Sequence, residues 1–361
     1  MDFTLGEDRQ ALVDVLSRSL RERYSIARRR AAAKETPGHD RETWGQLAEI
    51  GAIGALFDEA RGGFGGSPFD VVAVFETLGN ALVGEPVLAT LMAGSVLPTN
   101  VLEAVIAGET IPTIALYEPQ SRYDWTDVQT RATTDGDGWR LNGAKAVVSF
   151  GEAADLLVVS ARTEDGTFGL FVVPAKTEGV EIRGYATNDG QRAADIRLID
   201  VAAPGDARIG GEQEAARAVA LGTLAVCAES VGIMTWLKDT TLEYLRTRVQ
   251  FGAPIGRNQA LQHRMAEVLI EIEQSRSAVI NAAAAFDGDT LARDTALAAA
   301  KYSIGTNATR VAEESIQLHG GIGMTAELEL SHYAKRAIMI DHDLGDADHH
   351  LSRYIALTAA A

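Results

Sequence analysis

The chain has 361 residues, 46% apolar and 23% charged, the composition of an ordinary globular protein; 35 Gly and 9 Pro are too few for a collagen-like or low-complexity chain. The net charge of −17 divides evenly, −6 over residues 1–112, −5 over 113–205 and −6 over 206–361. No segment is therefore a basic platform, and sequence-independent nucleic-acid binding lacks its driving term. The single cysteine, Cys227, excludes an internal disulfide and reads as a small buried hydrophobe.

Residues 1–112 read as helical. Glu7 to Arg30 carries Leu12, Val13, Leu16 and Leu20 at helical spacing; Trp44, Leu47, Ile50 and Ile53 form a second face, and Phe69 to Leu82 a third. Arg61-Gly62-Gly63-Phe64-Gly65-Gly66-Ser67-Pro68 breaks any helix between them. Residues 113–205 read as a compact β-domain, barrel-like. Asp135-Gly136-Asp137-Gly138 and Glu164-Asp165-Gly166 are hairpin signals, and Leu156–Ser160 and Gly169–Val173 are buried strands. From residue 206 the chain is Ala- and Leu-rich, and 212–247, 260–286, 290–318 and 326–355 read as the long helices of a four-helix bundle. Runs of about 18 apolar residues are absent, so no membrane span is expected. The charged start of the chain lacks a signal-peptide run, which makes the cytoplasm the expected location.

The common phosphate loops and the G-x-S-x-G elbow do not occur. Two patches stand out instead. Arg248-Val249-Gln250-Phe251-Gly252-Ala253-Pro254-Ile255 is a turn leading into a helix near Gln259. Gln317-Leu318-His319-Gly320-Gly321-Ile322-Gly323 places three glycines in four positions. A helix N-terminus and a nearby Arg can hold a phosphate, and glycines admit a ligand close to the backbone. Each patch taken alone also reads as a helix–helix connection with a glycine cap.

Together, Arg248-x-x-Phe251-Gly252-x-Pro254-Ile255, Gln259 and Gln317-x-x-Gly320-Gly321-x-Gly323 resemble the acyl-CoA dehydrogenase family over nearly the whole chain. Gly62-Gly63-x-Gly65 and Asn142-Gly143-x-Lys145 are weaker echoes. The resemblance implies an α+β multidomain fold: a helical N-terminal domain (1–112), a middle β-domain (113–205) and a C-terminal helical bundle (206–361). It implies FAD-dependent α,β-dehydrogenation of an acyl-CoA thioester, with electrons passed to an electron-transfer flavoprotein. It also implies that Arg248, Phe251, Gln259, Gln317, Gly320 and Gly321 hold the ADP half of a partner subunit's FAD.

The chain departs from the family pattern in two places. The family's base is a Glu before a Gly, downstream of the Gly-Gly pair; here Asp343-Leu344-Gly345-Asp346 puts Leu344 in that place. The alternative base position on an earlier helix is Gly222. A leucine or glycine cannot abstract a proton, which leaves Asp343 and Asp346 (with Asp341 behind them) as candidates, each equally readable as a solvated helix-end charge. The flavin-facing segment reads Leu116-Tyr117-Glu118-Pro119-Gln120-Ser121-Arg122-Tyr123-Asp124-Trp125, bulkier than the family's, and Val148-Ser149 keeps a hydroxyl, Ser149, but no Trp beside the ring. These departures resemble the small, base-less subunits of pimeloyl-CoA and bacterial steroid side-chain dehydrogenases, which act in α2β2 assemblies with a homologous Glu-bearing subunit. The alternatives are a self-sufficient homo-oligomer using a relocated Asp base, and a non-redox structural or acyl-CoA-binding homologue. Glu229, in an apolar helix, is expected to be buried and paired. Lys145 and Arg336 read as anion contacts or surface ion pairs. His342, Asp346, His349 and His350 would share a helix face of metal-ligand type, without the further fixed ligand that would make a metal site.

Overall fold

The computed structural model describes residues 6–359. Glu7–Arg30 is two helices rather than one, α1 (Glu7–Arg23) and α2 (Ile26–Lys34), because Tyr24 turns extended between them (φ −109°, ψ 131°). Asp40 caps α3 (Arg41–Glu49), accepting from the N–H groups of Glu42 and Thr43. That helix carries Trp44 and Leu47 into the core. It stops before the turn at Gly51 (φ +84°), so Ile53 is buried from a turn instead of from the helix. Pro68 opens α4 (Pro68–Asn80), and α5 (Val87–Val96) and α6 (Thr99–Ile106) follow. The glycine-rich loop before α4 lets Arg61 cap α5, donating to the carbonyls of Gly94 (2.8 Å) and Ser95 (3.0 Å).

The middle of the chain is one mixed eight-stranded sheet, in the order β6-β7-β3-β2-β4-β5-β8 with β1 on β4. The strands are β1 (Pro112–Ala115), β2 (Arg131–Asp135), β3 (Gly138–Ser149), β4 (Leu156–Thr163), β5 (Phe168–Pro174), β6 (Val180–Ala186), β7 (Arg192–Ala203) and β8 (Arg208–Gly210). Both expected hairpins form: Gly136 (φ +58°) turns β2 into β3, and Gly166 (φ +81°) turns β4 into β5. Alternate residues of these strands, Leu141, Leu157, Val159, Phe171, Val173 and Ile196 among them, make the sheet's core, and Trp139 meets Phe171 edge-on at 5.3 Å.

The C-terminal helices are α7 (Glu212–Thr247), α8 (Gln259–Ala285), α9 (Thr290–His319), α10 (Leu330–Met339) and α11 (Ala347–Ala359). The first three match the expected stretches. The last, 326–355, is broken between Met339 and Ala347 by a 3₁₀ turn and by left-handed Leu344 (φ +59°) and Gly345 (φ +109°). An 18-residue window of α7 is apolar enough to cross a membrane (mean hydropathy 1.7), but 89% of it is buried inside the protein, as in a core helix. α4 packs on α7 at glycine-sized distances. A Cβ on Gly79 would stand 2.1 Å from the carbonyl oxygen of Glu229, and one on Gly232 2.0 Å from that of Glu76.

The molecule divides into two compact units. One comprises the described parts of Met1–Ile26, Pro68–Val83 and Thr223–Ala361; the other comprises Ala27–Ser67 and Gly84–Gly222. α1 and α4 thus group with the C-terminal helices, while α2, α3, α5 and α6 group with the sheet.

Candidate functional site

In the sheet unit, the Glu-Pro segment after β1 is built around a buried ion pair. The Glu118 carboxylate accepts from Lys145 Nζ (2.7 Å), Thr130 Oγ1 (2.6 Å), the N–H groups of Gln129 (2.8 Å) and Thr130 (3.0 Å), and Gln120 Nε2 (3.1 Å). Lys145 Nζ also donates to Ser160 Oγ (2.8 Å). The side chains of Lys145 and Glu118 are 0% and 2% exposed, so the surface role expected for Lys145 is corrected: β3 carries it inward. Burial pushes the Glu118 carboxyl up, but the ammonium and the converging donors outweigh it and hold it down at about 2. Burial lowers the Lys145 amine to about 8 against the pull of Glu118. Gly143 is what admits Thr130 to this cluster, since a Cβ there would lie 2.7 Å from Thr130 Cα.

The bulky residues of the same segment are held in place. Gln120 is turned onto Glu118 and the Asp127 carbonyl, Arg122 (φ +47°) lies over the Tyr123 ring at 5.3 Å, and Trp125 meets Phe168 edge-on at 5.9 Å. Ser149 ends β3, its backbone carbonyl accepting from Thr113 Oγ1 (2.7 Å). It sits in an irregular stretch, where the β3–β7 register shifts between Lys145 and Val148 and both Val147 (φ +54°) and Phe150 (φ +51°) are left-handed. Val147 is a β-branched residue in that conformation and 63% exposed, a strained edge of the kind found at functional surfaces.

In the helical unit, the loop between α10 and α11 is clamped from three sides. Lys301, 2% exposed on α9, donates to the carbonyls of Asp341 (2.6 Å), Gly345 (2.8 Å) and Ile340 (3.3 Å). His350 Nε2 lies 3.0 Å from the Leu344 carbonyl. Arg336 binds Glu229 through two bonds (2.7 and 3.0 Å) and Asp343 through a third (2.9 Å). Glu229 is buried and paired as expected. Arg336, however, is an interior residue, 2% exposed, and not a surface ion pair. Asp343 is engaged by Arg336, and Asp346 accepts from the His349 N–H (2.9 Å), capping α11. Leu344 is half-buried and Gly222 lies buried in α7. Cys227 is fully buried, its thiol pushed up to about 12.

The two patches singled out in the sequence come together at one end of the helical unit. Val249–Gln250 (β9) and Ala253–Pro254 (β10) form a hairpin after α7, with Phe251 (φ +51°) and Gly252 (φ +81°) as its tip. Arg248 and Gln259, the first residue of α8, are exposed, as is Phe251, whose side chain is fully in solvent. Gln317, Gly320 (φ +68°) and Gly321 are exposed at the end of α9. Tyr244 stacks on His319 at 4.3 Å and donates to its carbonyl (3.3 Å), joining the ends of α7 and α9. The Arg264–Glu314 pair sets the start of α8 beside the same end.

Sequence models of the acyl-CoA dehydrogenase N-terminal, middle and C-terminal domains match residues 6–104, 113–201 and 211–342. The chain belongs to the acyl-CoA dehydrogenase family. Acyl-CoA dehydrogenase FadE27 of Mycobacterium tuberculosis is 29% identical over 98% of this chain and 97% of its own length. Among solved structures, the Tcur3481-Tcur3483 steroid ACAD is 31% identical with a TM-score of 0.90, covering 99% of both chains. The ChsE4-ChsE5 complex of M. tuberculosis is 27% identical with a TM-score of 0.92, covering 100% of both.

Within this acyl-CoA dehydrogenase chain, sequence reasoning missed the loop clamp. The signal for Lys301 was present: it falls on the buried face of α9 with Leu297, Ile304 and Ala308, where an unpaired amine would be costly. The histidine-rich tail is not one helix face, because His342 lies in the turn before α11. Among the described residues no three His, Cys, Asp or Glu side chains are placed to hold a metal ion.

His350 makes the clamp acid-sensitive. Burial lowers its imidazole to about 3 from an unfolded value of 6.5, so the folded protein holds it neutral with Nε2–H on Leu344. Between those values the unfolded chain binds the extra proton. Stability should therefore fall as pH drops below 6.5, by up to about 1.4 kcal/mol per pH unit from this group. Thermal unfolding from pH 7 to 4 should show that slope reduced in His350→Gln. An unchanged slope would mean that the imidazole titrates freely.

Proposed function

We propose that this chain is the non-catalytic subunit of an FAD-dependent acyl-CoA dehydrogenase, paired in an α2β2 assembly with a homologous subunit that carries the Glu base. One observation supports it most. The distal cofactor residues stand together and exposed, while Leu344 occupies the base position and the neighbouring carboxylates, Asp343 and Asp346, are engaged in holding their own loop. The donor set fits the anionic half of the cofactor: one guanidinium (Arg248), two primary amides (Gln259, Gln317), the open Gly320-Gly321 turn and the aromatic Phe251. When bound, FAD supplies the two-electron acceptor for α,β-dehydrogenation. On the flavin side Ser149 keeps a hydroxyl at the end of β3, while the Glu-Pro segment after β1 carries the bulky Gln120, Arg122 and Tyr123. The relatives named as the pairs ChsE4-ChsE5 and Tcur3481-Tcur3483 favour a two-component enzyme. In this reading the substrate is an acyl-CoA held mainly by the partner, the electrons leave through an electron-transfer flavoprotein, and the assembly is cytoplasmic.

The test is the visible spectrum. Expressed alone, the chain should carry no flavin; co-expressed with a Glu-bearing homologue, the complex should carry flavin and dehydrogenate acyl-CoA. Arg248→Ala in that complex should weaken FAD retention by roughly 10- to 150-fold, the equivalent of about 1.5–3 kcal/mol for a charge-assisted bond. One flavin per chain and turnover in the isolated protein would overturn the reading in favour of a homo-oligomer with a relocated base. Unchanged retention in Arg248→Ala would remove Arg248 from the cofactor grip.

A further inference from the structure

Two cavities open along α1 in the helical unit. One, of about 360 Å³, is walled by Val13, Phe69, Val72, Val231, Val279 and Ile280. The other, of about 400 Å³, is lined by Tyr24, Trp236 and Tyr333. Ser17, Thr77 and Asn80 line both, so the two hollows adjoin across a polar waist formed by these three residues. Their origin is visible in the packing. Of the described residues of α1 only Leu16 and Leu20 are buried, so this helix leaves space between itself and α4, α7 and α8. Each volume falls within the range of ligand pockets, roughly 300–1,000 Å³.

The chemistry of the lining defines an occupant. Beyond the polar waist, the first cavity is apolar except for Arg276 and Glu76, which pair with each other. Around the second, Arg21 and Glu329 are exposed and contribute one charge of each sign. The charges therefore cancel, and neither an anion nor a cation is favoured. At the waist, the Ser17 hydroxyl has no hydrogen-bond partner among the described residues, and Thr77 Oγ1 donates to the Ala73 carbonyl, which leaves its lone pairs open. Trp236 lies flat on Tyr333 at 3.6 Å, forming a rigid aromatic wall.

We propose that these adjoining cavities together bind an uncharged amphipathic molecule, an elongated apolar body bearing a mid-chain hydroxyl that reaches Ser17 and Thr77 at the waist. The inference is independent of the subunit role proposed above. It can be tested by titrating the full chain with dodecan-6-ol, using dodecane-6-carboxylate and 6-aminododecane as charged comparators, and following tryptophan fluorescence and Tm. Dodecan-6-ol should give a saturable fluorescence change and raise Tm, since a ligand bound only to the folded state stabilises it. The charged comparators should bind at least tenfold more weakly. Val72→Trp, which fills the apolar arm, should weaken binding at least tenfold, and Ser17→Ala, which barely alters volume, about fivefold. Trp236→Phe should abolish the fluorescence change and keep the Tm rise. Three results would each overturn the proposal: no saturable binding, equal binding of all three probes, or binding unaffected by both Val72→Trp and Ser17→Ala.

Discussion

Lys145→Met is expected to destabilise the protein by about 3–5 kcal/mol, because it strands the Glu118 carboxylate in the interior with its charge uncompensated. The pair is nearly inaccessible to water, with side chains 0% and 2% exposed, so solvent screening does not soften the loss. The pH dependence should change with it, and its sign is fixed. In the wild type Glu118 is held at about 2, below its ordinary 4.5. Its contribution is complete above 4.5 and is lost as pH falls from there towards 2. Lys145 is held at about 8, below 10.5, so the unfolded chain binds more protons in that interval and wild-type stability rises across it. Chemical denaturation of Lys145→Met from pH 3 to 10 should show a lower curve without the alkaline slope, and with the acid slope lost or reversed because the stranded carboxylate takes up a proton more readily. A loss under 1 kcal/mol at pH 7 would mean that the four remaining hydrogen bonds to Glu118 suffice without the ammonium.

The second large effect concerns Arg336. Arg336→Leu removes the partner of buried Glu229 and frees Asp343, and the expected cost is again about 3–5 kcal/mol. Most of that should come from Glu229, since the Asp343 side chain is 35% exposed and can be hydrated. The double variant Glu229→Leu with Arg336→Leu should therefore recover much of the loss, because an apolar pair of similar volume replaces an ion pair whose desolvation was costly. Hydrogen exchange gives a second readout. The 340–346 loop should lose protection in Arg336→Leu, while α9, which is clamped to it through Lys301, should keep its own. A double variant as unstable as the single one would show that the guanidinium does more than neutralise Glu229.

The sequence by itself determined the element types, the hairpins at Gly136 and Gly166, the long helices α7 to α9, and the patches around Arg248 and Gln317. All of these are local signals: periodicity over many residues, turn dipeptides and glycine spacing. The break at Tyr24 was not legible, because nothing in Arg23-Tyr24-Ser25 forbids a helix; which unit each side packs into decides it. Lys145 and Arg336 read as surface charges for the same reason. A side chain's burial depends on what faces it, and their partners Glu118 and Glu229 lie 27 and 107 residues away along the chain. The interruption of 326–355 is likewise tertiary: Lys301, His350 and Arg336 converge from three helices to hold Leu344 in a left-handed conformation that costs a leucine about 1–2 kcal/mol in isolation. Local propensity cannot anticipate a backbone conformation sustained by hydrogen bonds from residues distant in sequence, and it was there, at the loop carrying Leu344, that only the three-dimensional structure could decide what the carboxylates do.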